Sequence, residues 1–151
     1  MPDEPLRTLA RRGKLRESET LRTEVDRLLD KPEAKRFVKA FLNAWLKLDE
    51  INDTDPDREL YPEYAGDWWL VNSMVEESRL FFADLIASNR PARNVIDADY
   101  TFLDERLARH YGVPEIVGPS FQRTSLPEQS PYGGILTQAA ALKVTANGTV
   151  T

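Results

Sequence analysis

Few residues in this chain could carry chemistry, and they are scattered. His110 is its single histidine, so no catalytic triad, histidine pair or histidine-rich metal site can be assembled from within the chain. It is the candidate catalytic residue, as a general acid or base or at a haem edge. The competing reading, which the helix-dipole argument favours, is a partly buried ring hydrogen-bonded near a helix C-terminus. Glu76 and Glu77 are paired acids of the kind that flank a glycosidic bond. Neighbours on a helix point about 100° apart, so the pair reads as surface charge beside Arg79. Trp68 and Trp69 are binding candidates, as a sugar-stacking platform or a docking patch; their bulk points first to core packing, one ring buried and the other partly covering it.

Asp53, Asp55 and Asp57 alternate as the oxygen ligands at positions 1, 3 and 5 of a calcium loop do. The pattern then breaks, because position 6 is Arg58 where a glycine is needed and position 12 is Tyr64, with Glu63 one place early. No metal is therefore expected; the three aspartates are the calcium candidates, with solvated carboxylates and caps around Pro56 as the plainer account. Gly133 and Gly134 offer free backbone amides ahead of an apolar helix, an elementary anion site. They lack the further glycines of a dinucleotide fingerprint and the Lys-Ser/Thr of a phosphate loop, which leaves a flexible helix entry. Asn147-Gly148-Thr149 matches a glycosylation acceptor, too short a pattern to carry weight. The chain has no cysteine, which removes disulfides, thiolate chemistry, cysteine-ligated metals and covalent c-type haem attachment.

These residues need elements to position them. At 151 residues, 41% hydrophobic and 30% charged, the chain fits one soluble domain, or one and part of the next. No run approaches 18 apolar residues and no leader pattern opens the chain, so no membrane span is expected. Residues 1–50 hold 12 Lys/Arg and 10 Asp/Glu, net +2, and residues 51–151 hold 8 and 15, net −7. Acids and bases are interleaved, which leaves no nucleic-acid footprint.

Asp3 is placed to cap a first helix that Gly13 stops, and Ser18 a second with an apolar stripe at Leu21, Val25, Leu28 and Leu29. Pro32 opens a third, capped by Asp30, whose aromatic face of Phe37, Phe41, Trp45 and Leu48, reinforced by Val38 and Leu42, marks it as the core helix. After an irregular segment from Asn52 to Ala65, a fourth helix runs from Asp67 to about Ser88, with Val71, Met74, Val75, Phe81, Phe82, Leu85 and Ile86 on one side and Asn72, Glu76, Arg79 and Ala83 on another. Thr101 and Asp104 form a capping-box variant that starts a fifth helix, ended near Tyr111 by Gly112 and Pro114. Phe121 to Leu126 is a short, weakly alternating stretch, and Ile135 to Lys143 a last helical candidate. The expected fold is mainly α, a compact antiparallel array of about five or six helices with an irregular C-terminal region that includes a short strand pair.

Several separated blocks carry a resemblance. Asp97 to Gly112, Phe121 to Leu126 and Gly133 to Thr149 look like planctomycete domains of unknown function associated with c-type cytochrome domains. Gly13-Lys14-Leu15-Arg16, the helix from Arg36-Phe37-Val38 to Trp45-Leu46, Asp57 to Tyr64 and Glu76 to Phe82 are similar to the first of two consecutive domains, and the stretch from residue 101 onward to the start of the second. Two departures stand out, Asp104 where an Asn is expected and an end at Thr151 where the pattern continues with Ser-Pro. The resemblance implies a helical domain over residues 1–98, truncated at its N-terminus, and an incomplete second domain over residues 99–151 packed on it. It further implies a large extracytoplasmic parent with c-type haem elsewhere, no cofactor in this piece, and neighbouring domains of the parent as partners. It supplies no activity. The function expected is a non-catalytic structural or docking module, and the alternative is part of an oxidative or carbohydrate-directed active site completed by absent regions.

Overall fold

A computed structural model describes residues 2–62, 65–113 and 115–146. Among them are six α-helices and one two-stranded antiparallel sheet, so the protein is mainly α. Two compact units emerge, residues 1–37 and 38–151, and each has its own means of cohesion.

In the first unit α1 spans Glu4–Arg11 and α2 spans Ser18–Leu29. Asp3 caps α1 as expected, its Oδ1 accepting from the Leu6 amide at 3.2 Å, and Gly13 ends the segment at φ 69°. The N-cap of α2 is Glu17, not Ser18, which is the helix's first residue. The expected apolar stripe of α2 does not form a core, since Leu21 and Val25 are exposed and the one buried residue is Glu24. Charge does the joining. Arg27 donates to both oxygens of Asp3 at 2.8 and 3.0 Å and to Glu24 at 2.6 Å, while the Lys31 ammonium reaches Asp3 at 2.6 Å.

α3 runs Ala34–Leu46, two residues later than Pro32 suggested, because Lys31 to Glu33 form a turn. Its aromatic face is not the core face. Phe37, Phe41 and Trp45 keep 48%, 39% and 41% of their surface, whereas Val38, Leu42 and the following Leu48 are buried. The reason is helical phase: Val38 and Leu42 share a stripe about 100° round from Phe37 and Phe41, and the thinner stripe is the one that packs. Phe41 stacks on Phe82 with centroids 5.1 Å apart.

α4, Trp68–Ala87, is the central element of the second unit, capped by Asp67, whose Oδ1 accepts from the Leu70 amide at 3.0 Å. It buries Leu70, Met74, Val75, Phe81 and Leu85 together with Ser73, Glu77 and Ser78. The helix expected to start at Thr101 starts later. Tyr100–Leu103 is strand β1, paired with β2 (Gln122–Ser125) in the register Tyr100↔Ser125 to Leu103↔Gln122. Thr101 is therefore extended, and Asp104 is the N-cap of α5, Glu105–His110, accepting from the Leu107 amide at 2.9 Å. Strand pairing over four residues overrides a local capping signal, which is how tertiary context defeats propensity. Gly112, at φ 71°, ends α5; Pro114, the other expected stop, lies outside the described residues. A 3-10 turn at Ile135–Thr137 and helix α6, Ala139–Thr145, complete the unit.

Candidate functional site

Two polar constructions sit side by side on α4. The first is a buried seam. Glu77 occupies a core position of the helix, between Met74 and Phe81 on the stripe that packs inward, and its surface is fully covered. Thr101 Oγ1 of β1 donates to Glu77 Oε1 at 2.5 Å and the Tyr111 hydroxyl donates to Oε2 at 2.7 Å. The same hydroxyl accepts from the Ala139 amide at 2.7 Å, so one carboxylate ties α4 to β1, to the end of α5 and to the start of α6. Burial pushes the Glu77 carboxyl up to about 7, against the two hydroxyl donors that favour its charged form. Burial and the adjacent Glu77 carboxylate hold the Tyr111 phenol far above its ordinary range. Next in sequence, Ser78 donates to Gln138 Oε1 at 2.7 Å. The expectation that Glu76 and Glu77 are both surface charge fails for Glu77, and the signal was present: 74, 77, 78, 81 and 85 are the spacing of an inward stripe.

The second construction is an open groove of about 860 Å³ between α4, α5 and the loop at 118–121. Trp69, Asn72, Ser73, Glu76 and Arg79 recur at helical spacing and line its α4 wall; Asp104, Arg106, Arg109 and His110 line the other, with Pro119 and Phe121 closing one side. Most of its charges are already matched. Arg106 donates to Asp67 at 2.7 Å, Arg109 pairs with Glu105, Glu105 also accepts from the Gly118 amide at 2.7 Å, and Ser73 donates to Asp104 at 2.5 Å. Arg79 differs. Its Nε is buried with no hydrogen-bond partner among the described residues, and its ion pair, to Glu76, is 3.7 Å long, beyond hydrogen-bond range. A buried donor left in that state costs roughly 1–3 kcal/mol.

Trp68 and Trp69 are not core. They stack on one another at 4.1 Å and keep 58% and 55% of their surface, with Trp69 on the groove. His110 is exposed at the end of α5, on the groove wall, and the expected partly buried ring is not found. Gly133 and Gly134 lie apart from this groove. The Gly133 amide donates to Thr137 Oγ1 at 2.9 Å, and Gly134, at φ 100°, lets the backbone pass so close to Ile96 that a Cβ would stand 2.4 Å from its carbonyl oxygen. Glycine is required there by packing.

In the aspartate loop, Asp57 accepts from the Glu59 and Leu60 amides at 2.8 and 3.0 Å, a turn-capping role. The Lys143 ammonium donates to the Ile51 and Thr54 carbonyls at 2.7 and 2.8 Å, bringing a cation of the chain's own to this loop. No group of three or more His, Asp or Glu side chains among the described residues converges as a metal site. Glu63, Tyr64 and the Asn147-Gly148-Thr149 sequence lie outside the described residues.

The pattern of PSD4, a protein of unknown function (DUF1592), matches residues 1–113, which takes in α4, β1 and α5. The chain belongs to this family. No curated protein and no solved structure gives a significant match. Family membership thus covers most of the groove and the seam but brings no activity with it; the 118–121 side of the groove and the Gln138–Ala139 end of the seam lie beyond the matched residues. No helix among the described residues is long and apolar enough to cross a membrane.

Proposed function

We propose that this chain is a non-catalytic docking module, and that the surface it docks with is the lip and floor of the α4–α5 groove. The observation that carries the reading is the stacked, more than half-exposed Trp68–Trp69 pair at the groove. Tryptophan is the side chain most concentrated at binding hot spots, and a rigid pair of rings offers contact area at small entropic cost. The groove's acids and bases are largely committed to one another, which suits a surface that fixes a partner's orientation. The carboxyl whose burial brings it near neutrality, Glu77, is sealed from any substrate.

The partner proposed is a neighbouring domain of the same parent protein, a c-type haem segment in an extracytoplasmic assembly, on the strength of the sequence resemblance. Calorimetric titration of this chain with that separately purified haem segment, oxidised and reduced, tests the reading. Saturable binding that disappears in Trp68→Ala/Trp69→Ala is the expected result. Absence of binding in both states overturns it, as does turnover by the intact parent that His110→Ala abolishes with folding preserved.

A further inference from the structure

Resting on the docking reading, the groove also specifies what it docks. Three of its four acids are consumed: Asp67 by Arg106 and the Leu70 amide, Glu105 by Arg109 and the Gly118 amide, Asp104 by Ser73 and the Leu107 amide. What remains is Arg79, which lines the groove with its side chain 30% exposed and whose Nη1 stands 3.7 Å from Glu76, too far for a hydrogen bond; its Nε is unbonded but buried, so a ligand in the groove meets the terminal guanidinium nitrogens. A guanidinium presents a planar fork matched to a carboxylate, so the missing partner has a defined shape. We propose that the groove receives a single Asp or Glu side chain of a partner polypeptide, its carboxylate bonded by Arg79 and its flanking apolar side chains lying on Trp69 and Phe121.

Two features of the walls select this ligand over other anions. The groove already holds the carboxylates of Asp67, Glu76, Asp104 and Glu105, which repel a doubly charged phosphate more strongly than one carboxylate. They also disfavour an acidic polysaccharide, which brings a charge with every sugar. The second unit is acidic as a whole, so long-range steering does not draw anions in; recognition has to be local, at Arg79.

The test uses the full chain, titrated at physiological ionic strength with acetyl-Ala-Leu-Glu-Leu-Ala-amide, its Gln counterpart and trigalacturonate, and read by amide shifts of groove residues. The Glu peptide is expected to bind saturably, tighter than the Gln peptide on the order of tenfold or more, the value of one charge-assisted hydrogen bond. Arg79→Gln removes that preference and Arg79→Lys restores it only partly, since a point charge replaces the fork, whereas Arg58→Gln, a charge removed outside the groove, leaves it intact. Equal binding of the two peptides, an equal loss in Arg58→Gln, tighter binding of trigalacturonate, or no saturable shift at millimolar peptide each overturns the proposal. If the haem segment binds the wild-type chain and Arg79→Gln equally, while Trp68→Ala/Trp69→Ala abolishes binding, the docking reading stands and the acidic side chain falls.

Discussion

In residues 1–37 the bonds joining α1 to α2 are ionic: Asp3, Glu24, Arg27 and Lys31 form one network, and Glu24 is the unit's single buried residue among those described. In residues 38–151 the corresponding task falls to an apolar core of Leu42, Leu70, Met74, Phe81, Leu103, Leu107 and Ile135, within which the Glu77 seam is the polar exception. The two units should therefore answer differently to cavity, acid and salt. Charged networks at a partly wet surface are screened by ions and lost when carboxylates are protonated. Apolar burial has no charge to screen or protonate.

The largest effect should come from the apolar side. Phe81 is fully buried, its ring 5.2 Å from that of Tyr100. Phe81→Ala is expected to cost about 3–5 kcal/mol, read from urea unfolding by tryptophan fluorescence. All three tryptophans, Trp45, Trp68 and Trp69, belong to the second unit, so this probe reports on it alone. A cost under about 0.5 kcal/mol, the level of an ordinary surface change, would mean that the unit does not depend on this core.

Next comes the seam, where the sign is opposite to that of an ordinary ion-paired acid. The Glu77 carboxyl is raised from 4.5 to about 7, so between those values the folded state holds a proton the unfolded state has lost, and stability falls as pH rises through that window. The second unit should lose up to about 3 kcal/mol between pH 4.5 and 7 from this group. Glu77→Gln should flatten the dependence, and a slope that survives this substitution would place its origin elsewhere.

The first unit should move the other way. Hydrogen bonds from Arg27 and then Lys31 hold the Asp3 carboxyl well below its ordinary 3.8, so its contribution is complete above that value and is lost as pH falls below it. Protection factors of the amides across residues 18–29, taken relative to the intrinsic exchange rate at each pH, should fall on acidification below pH 4 and in molar salt, and Asp3→Asn should lower them at neutral pH. The effect is smaller than the seam's because the network is solvent-screened. Exchange that is insensitive to salt and to Asp3→Asn would show that α1 and α2 are joined by something other than these pairs.

How much of this could be read beforehand follows the same division. Local signals were legible: Asp3 as a cap, Gly13 and Gly112 as stops, and α4 across its length, because each depends on a few consecutive residues. Misreadings arose where a distant segment decides. Thr101 and Asp104 spell a helix start until Gln122–Ser125 pairs beside them, and Thr101 then spends its hydroxyl on Glu77. The aromatic face of α3 outweighed Val38 and Leu42 by bulk but lost to them by phase. Glu77 was read as surface charge because its type was weighed above its position, and the groove was not anticipated because its walls are 31 to 39 residues apart in the chain, as the Ser73–Asp104 and Asp67–Arg106 bonds show.

The smallest expected change in stability is the most telling for function. Trp68 and Trp69 are large and apolar, yet they stack on each other and stay more than half exposed, so Trp68→Ala should shift the unfolding free energy by no more than about 0.5 kcal/mol, the range of a surface substitution. A residue with that much exposed area and so little part in folding carries a cost in solubility that folding does not explain. If Trp68→Ala instead lowered stability as Phe81→Ala does, the pair would be an outlying piece of the core, and the docking reading would lose the observation on which it stands. A near-zero change in stability, together with lost binding of the proposed partner, would separate the surface that folds this chain from the surface that works.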